Sequence, residues 1–389
     1  MQTIFEKLDQ HITLSSEESQ LIQSVQSVCQ DLIAPNAKRF DESGEFPWEN
    51  IHAINELGLN AMFIPEEYGG APLSYTSYLY CVREISKACA STGIIWATNF
   101  HGMKPIIDFG TEEQKLRFLP TIAQGGIGSL AITEPHAGSD ATGMRLSFTP
   151  DGDDIIINGN KIFISNGDVA DLYLLFGKWS EIPGSKESIS ALVFEKGTPG
   201  FSVLGTEKKM GHRAASTASI SFNNCRVPRK NLLCNPGDGL KILLSSLNKS
   251  RPSVAAHALG IARAAFDDGV NYINERQQSG KKIIEFQGIQ FQLADLASEL
   301  FLCESLLWSI AQSVDAGATN FGTEASILKY RATDAAMKIT TEVVGLFGGY
   351  GYCQDYRVER LMRDAKITQI WEGTNQIHRQ LVGRHFLKK

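Results

Sequence analysis

The sequence predicts a mostly helical α+β protein in three parts: an N-terminal helical domain, a middle antiparallel β domain and a C-terminal four-helix bundle. Three observations carry this. Apolar residues fall at helical spacing up to about residue 124. Short β-branched runs separated by turn residues replace that pattern from Gly125 to about Asn235. Helical spacing returns after Pro236-Gly237 and continues to the end. The domains therefore run 1–124, 125–235 and 236–389.

In the first part, Ser16-Glu17-Glu18 opens a helix carrying Leu21, Ile22, Val25 and Val28 on one face. Ile51, Ile54, Leu57 and Leu59 follow, and Pro65 to Gly70 breaks the pattern. A further helix covers Tyr75 to Ala90, and Thr111-Glu112-Glu113 starts another. In the second part, Ile155-Ile156-Ile157 and Ile162-Phe163-Ile164 flank Asn158-Gly159-Asn160-Lys161, which reads as a hairpin turn. Ile189–Phe194, Phe201–Leu204 and Ala218–Phe222 are further strands. In the third part, Pro252 starts a helix through Ala255, Leu259, Ala262 and Phe266. Ile289, Leu293, Leu296, Leu300, Cys303, Leu307 and Ile310 step by four and three, as a bundle seam does. A last long helix runs from Thr323 to Leu346 and stops at Gly348-Gly349.

Composition narrows the function. The 389 residues carry a net charge of −6 and no basic block. Such a chain is a poor nucleic-acid or anionic-membrane binder. The seven cysteines are scattered and form no CxxC pair, which argues for reduced thiols in the cytoplasm and against a metal site. The N-terminus has no apolar core of a signal peptide, and no apolar run is long enough to span a bilayer.

Four motifs carry chemistry. Ala131-Ile132-Thr133-Glu134-Pro135-His136-Ala137-Gly138-Ser139-Asp140 ends a strand in a small-residue loop whose donors could meet a flat polar ring or a phosphate. In Lys161 to Gly167, alternation places Phe163 and Ser165 on one side of a strand. Phe347-Gly348-Gly349-Tyr350-Gly351-Tyr352 lets backbone approach a ligand closely. Near the end stands Ile370-Trp371-Glu372-Gly373-Thr374-Asn375-Gln376-Ile377, a single carboxylate between an aromatic and a glycine at the mouth of a helix. Taken singly, each also fits a bland reading: a surface turn, a core Phe beside a Ser, a helix cap, and a glutamate complementing a helix dipole. His101, His136 and His212 receive no role, since a lone histidine is more often structural.

In this order and spacing, from about residue 10 to the C-terminus, the motifs resemble the acyl-CoA dehydrogenase family of flavoproteins. No GxGxxG fingerprint follows a strand, which agrees with the way that family holds FAD. The resemblance implies FAD contacts from Ile132, Thr133, Ser139, Phe163, Ser165, Thr374 and Gln376. It implies that Arg276, Gln287, Gly345 and Gly349 reach the FAD of an adjacent subunit in a homotetramer. It places Ser139, Asn248, Arg251, Trp371 and Gly373 around the substrate, and makes Glu372 the catalytic base. Four positions depart from the usual pattern. Gly345 stands for a glutamine, Ser279 for a phenylalanine, Phe163 for a frequent tryptophan and Asn248 for a frequent aspartate.

The implied reaction is α,β-dehydrogenation of an acyl-CoA thioester. A base takes the α-proton on one side while FAD accepts hydride on the other, and electrons then pass to an electron-transfer flavoprotein. The developing enolate needs two donors at the thioester carbonyl, one of them the Glu372 amide. The bulk of Trp371 and Phe163, with Trp96, Phe100 and Tyr352, points to short or branched acyl groups. Two variants keep the fold: an oxidase using dioxygen, and an enzyme acting on acyl groups held by a carrier protein. A more distant alternative is a non-catalytic, nucleic-acid-associated relative, which the acidic balance disfavours.

Overall fold

A computed structural model describes residues 3–387. The N-terminal part holds helices α1 (Ile4–Gln10), α2 (Ser16–Val28), α3 (Ala34–Ser43), α4 (Trp48–Glu56), α5 (Tyr75–Ala88), α6 (Ala90–Phe109) and α7 (Glu112–Ala123). The cap of α2 is Ser15, one residue before the expected run. Its hydroxyl accepts from the Glu18 amide at 3.1 Å while the Glu18 carboxylate accepts from the Ser15 amide at 2.8 Å. Thr111 caps α7 in the same reciprocal way with Gln114.

The middle part is one eight-stranded sheet: β1 (Gly128–Ala131), β2 (Ser147–Asp151), β3 (Asp154–Ser165), β4 (Leu172–Trp179), β5 (Ile189–Glu195), β6 (Phe201–Thr206), β7 (Thr217–Pro228) and β8 (Leu232–Leu233). The order is β6-β7-β3-β2-β4-β5-β8, with β1 added on β4. The sheet is mixed: β1 and β2 both pair with β4 in parallel, and the other pairs are antiparallel. The domain is mostly antiparallel, as expected; the two parallel pairs arise because β4, reached through β3, runs in the same sense as β1 and β2.

The expected hairpin at Asn158–Lys161 is absent. β3 runs straight through it, and two register breaks against β7 absorb the turn-forming residues, one between Ile157 and Gly159 and one between Lys161 and Ile164. Gly159 sits at φ 136°, where a Cβ would lie 2.9 Å from the Leu146 Cα. Long apolar stretches on both sides, buried against β2 and β7, outweigh the local turn preference.

The C-terminal part holds α8 (Gly239–Glu275), the small hairpin β9 (Gln277–Gln278) and β10 (Lys281–Lys282), α9 (Gln287–Asp315), α10 (Gly322–Phe347), α11 (Val358–Thr368) and α12 (Asn375–His385). Ser279 and Gly280 close the hairpin with φ values of 51° and 80°. Pro252 does not begin a helix. It lies inside the 37-residue α8, with Ser250, Arg251, Pro252 and Ser253 all buried. Helices α5, α6 and α10 pack along α8, and residues of α5, α6, α8, α9 and α10 share one apolar core. No described helix is long and apolar enough to cross a membrane.

Candidate active site

The loop between α11 and α12 carries Trp371, Glu372, Gly373 and Thr374. Thr374 caps α12 by accepting from the Ile377 amide. Glu372 has φ 53° and Gly373 φ 93°, two consecutive left-handed residues. Only glycine enters this region freely, so Glu372 is held there by its surroundings. The carbonyl of Gly373 accepts from Lys329 Nζ at 2.7 Å, and that of Glu372 accepts from His378 Nε2 at 3.2 Å. Among the described residues the Glu372 amide has no acceptor. It is a free donor next to the carboxylate.

Two helices face the carboxylate and a third holds the loop that carries it. Ser250 of α8 donates its hydroxyl to Oε2 at 2.9 Å. His101 of α6 brings Nδ1 to 3.8 Å from Oε1. Lys329 of α10 holds the loop backbone and Asn375 Oδ1 at 3.1 Å. The side chain of Glu372 keeps 17% of its surface exposed, so it is recessed yet reachable. Burial lowers Lys329 to about 7, with Glu372 working in the other direction. Burial likewise lowers Arg251, again opposed by Glu372. Arg251 Nη1 donates to Asn248 Oδ1 at 3.0 Å and to Ser326 Oγ at 3.3 Å, while its Nε is buried without a partner. Arg251 lies close enough to Glu372 to feel its charge, and Asn248 is bonded to Arg251, so both stand near the loop of Trp371, Glu372 and Gly373. Trp371 rests on His212 and His257, with ring centroids at 5.2 and 5.6 Å. Ser139 is exposed on the loop after β1.

The second set is built on the sheet. Ile132 and Thr133 follow β1 half-buried, and the loop is fixed through buried Glu134. That carboxylate accepts from the Arg145 amide at 2.6 Å, the Leu146 amide at 3.0 Å and Lys161 Nζ at 2.8 Å. Burial would raise Glu134, but the Lys161 ammonium and these donors hold it below the usual carboxylate range. Lys161 is lowered to about 8 by the same burial. Phe163 stands at φ 57° in the second register break of β3, with 59% of its surface exposed, while Ser165 is half-buried. Strict alternation therefore does not relate the two, because the bulge turns the Phe163 ring outwards.

The third set lies farther along the bundle. Arg276, Gly345 and Gly349 line a surface cavity of about 510 Å³ together with Tyr272, Phe347 and Tyr350. The Arg276 guanidinium lies 5.4 Å from the Tyr350 ring centroid. A Cβ on Gly345 or Gly349 would meet nothing within 4 Å, so both leave backbone open to the cavity. Gln287 begins α9 and is exposed, and Gln376 is exposed on the first turn of α12. An exposed flat ring beside a strand-end loop, and an open cavity with a cationic side chain and bare backbone, suit a planar ring system joined to a charged tail. The residues present fit FAD.

Several residues at the site escaped the sequence reading. Tyr352, expected near the substrate, is 87% exposed, and Trp96 and Phe100 are core residues packed on Tyr78. Ser250, Ser253, Lys329 and His378 were not foreseen, and His101 was given no role. The signal for two of them was present: Ser250, Ser253 and His257 recur at i, i+3 and i+7 within an alanine-rich, buried stretch of α8.

Comparison with known proteins agrees with this geometry. The N-terminal, middle and C-terminal domain models of acyl-CoA dehydrogenase match residues 15–126, 129–225 and 237–387. An acyl-CoA dehydrogenase of Bacillus subtilis (strain 168) is 41% identical, covering 97% of this chain and 99% of the relative. A chain in a structure of the electron transferring flavoprotein of Acidaminococcus fermentans superposes with a TM-score of 0.94 at 39% identity, covering 97% of this chain and 99% of that one. Butyryl-CoA dehydrogenase from Megasphaera elsdenii superposes with a TM-score of 0.93 at 37% identity, over 97% of this chain and 99% of that one. The chain belongs to the acyl-CoA dehydrogenase family, a family of flavoprotein oxidoreductases whose cofactor is FAD.

Proposed function

We propose that this protein desaturates short or branched acyl-CoA thioesters between Cα and Cβ, with Glu372 as the base, and hands the electrons to an electron-transfer flavoprotein. One observation carries the reading: a recessed carboxylate and a free amide donor belong to the same left-handed residue. Glu372 can take a proton from Cα while its own N–H supports the oxygen on which charge builds. FAD, when bound, supplies the hydride acceptor. Asn248 and Arg251 stand beside the base as thioester contacts, and Trp371 and Gly373 bound the acyl group. Ile132, Thr133, Ser139, Phe163, Ser165, Thr374 and Gln376 are the contacts to the subunit's own FAD. Arg276, Gln287, Gly345 and Gly349 are contacts to a neighbour's FAD in a homotetramer. Openness of the Arg276 cavity supports that last assignment, since it leaves room for a ligand held from outside.

The acyl range is supported by the rings behind the base. Tyr75, Tyr78 and Phe100 pack with ring centroids within 6.0 Å of one another, Phe63 meets Tyr78 and Phe100 edge-on, and Tyr78 reaches Ser253 in the helix that carries Ser250. In this reading that wall bounds the far end of the acyl group. The likeness to butyryl-CoA dehydrogenase points the same way, and the likeness to a chain in the electron transferring flavoprotein structure supports that acceptor. Seven thiols without disulfide partners support a reducing, cytoplasmic setting.

The test is anaerobic bleaching of the flavin by a ladder of acyl-CoAs. Fastest bleaching with butyryl-CoA or a branched homologue, and little oxygen uptake in air without an electron-transfer flavoprotein, are expected. No bleaching by any acyl-CoA, with bleaching by carrier-bound acyl groups, contradicts the substrate class. Rapid oxygen uptake contradicts the acceptor.

A further inference from the structure

Behind the carboxylate lies a file of buried polar groups with no part in the chemistry above. His101 is 4% exposed. Its Nδ1 faces Glu372 Oε1 at 3.8 Å and its Nε2 lies 3.1 Å from Ser253 Oγ. Ser253, fully buried, has its hydroxyl 3.0 Å from that of Tyr78, which is 1% exposed. The core around them is apolar, with Ala97, Phe100, Val254 and Ala256 all buried. Unpaired polar groups are costly in such a place, so the hydrogens in this file are placed by mutual satisfaction.

We propose that His101 is a positioning residue for the base, locked by Ser253 and Tyr78 in the tautomer whose Nδ1–H faces the Glu372 carboxylate. This rests on the reading of Glu372 as the base. The lock follows from counting donors. Burial pushes the Tyr78 phenol far above its ordinary range, so it always carries a proton to give. If that proton goes to Ser253 Oγ, the Ser253 hydroxyl is left to donate to His101 Nε2. The remaining imidazole proton then sits on Nδ1, towards the carboxylate. Were Tyr78 to donate to Ala97 O instead, the Ser253 hydroxyl could turn to the Tyr78 oxygen, His101 Nε2–H would then donate to Ser253, and a lone pair on Nδ1 would face the negative charge. That carbonyl is 3.5 Å away against 3.0 Å for Ser253, so the first arrangement is favoured by distance as well as by charge. Burial lowers His101, with Glu372 opposing, so at neutral pH the ring is uncharged and acts as a dipole.

The carboxylate is thereby gripped from two sides, by Ser250 on Oε2 and by His101 towards Oε1. The 3.8 Å separation is longer than a hydrogen bond. His101 therefore steers a carboxylate that can still swing to the substrate. The other charged or titratable groups around it are Arg251 of α8, Lys329 of α10 and His378 of α12. None of these donates to the carboxylate oxygens among the described residues.

The test compares His101→Leu, which removes the donor, with His101→Asn, whose amide nitrogen can take the place of Nδ1. Ser253→Ala, which releases the lock while keeping the ring, is the third variant and guards against misfolding of the first. In the FAD-loaded enzymes, the Glu372 carboxylate band is titrated by infrared difference against the same variant carrying Glu372→Gln, with no substrate present. The carboxylate is expected to protonate at higher pH in His101→Leu and Ser253→Ala than in the wild type, and His101→Asn to restore the wild-type titration. In stopped-flow bleaching with butyryl-CoA, His101→Leu is expected to be about tenfold slower at saturation, with its acidic limb moved to higher pH. Identical infrared titrations in all variants, or an Asn variant indistinguishable from the Leu variant, overturn the proposal. Undiminished bleaching in Glu372→Gln alone would instead remove the base, leaving the infrared result to stand by itself.

Discussion

Glu372 and Gly373 bend the chain through two left-handed residues, and that bend aims both the carboxylate and the amide beside it. A non-glycine residue in this region carries a cost of about 1 kcal/mol or more, offset here by the bonds from Lys329 and His378 to the two carbonyls. Gly373 has no such tolerance: a Cβ at φ 93° would lie 3.1 Å from His378 Nε2. Gly373→Ala should therefore cost about 1–2 kcal/mol of stability and slow flavin bleaching more than tenfold by tilting the Glu372 amide. Thermal melting together with bleaching kinetics checks this, and a variant that melts and bleaches like the wild type contradicts the role of the bend. Glu372 and Gly373 were legible in the sequence because the motif is contiguous. Ser250 was not, since its contact with Glu372 spans 122 positions, and single-sequence periodicity reports which residues are buried without reporting what they meet.

Helix α8 is the element on which the site depends. It presents Ser250 to the base and Ser253 to His101, and its His257 bonds His212 at 2.8 Å beneath Trp371. It also crosses α5 closely. A Cβ on Gly260 would lie 2.3 Å from the Arg83 carbonyl oxygen and 3.0 Å from the Lys87 amide nitrogen. Gly260→Ala must push the helices apart, which should cost about 1–3 kcal/mol and lower the melting temperature by several degrees. An unchanged melting temperature would contradict the close crossing. The expected bundle seam lies within α9, and the strands at Ile189, Phe201 and Ala218 are all present, because each has a clear period and clear punctuation. The errors came where tertiary burial overrode a local signal. Pro252 and the Asn158-Gly159 pair look like boundaries in isolation, yet both lie inside long elements whose flanks are buried on several sides.

The whole molecule buries four histidines in neutral form. Burial lowers His101, His212, His257 and His378, the last two to about 3. The unfolded chain binds protons at these sites near pH 6.5 while the folded chain does not, so stability rises with pH in that window and is lost as pH falls below it. Buried Asp364, raised to about 7, and buried Glu304, also raised, act in the opposite sense, because they bind protons in the folded state first. Such histidines outnumber such acids, so net proton uptake accompanies unfolding and stability slopes downwards as pH falls from 7 to 5. Calorimetry between pH 7 and 5 should show that slope, and a flat stability profile contradicts neutral burial of the histidines. At the same scale, Arg276→Ala should weaken FAD retention at least tenfold on gel filtration if the open cavity at Gly345 and Gly349 receives a neighbour's cofactor; unchanged retention contradicts that placement. The whole chemistry of the site turns on Glu372 as the base. Anaerobic mixing of FAD-loaded Glu372→Gln with butyryl-CoA tests this most directly. A yellow, folded protein that binds the thioester but bleaches at least about a thousandfold more slowly than the wild type is expected, whereas bleaching at a comparable rate would rule out Glu372 as the base.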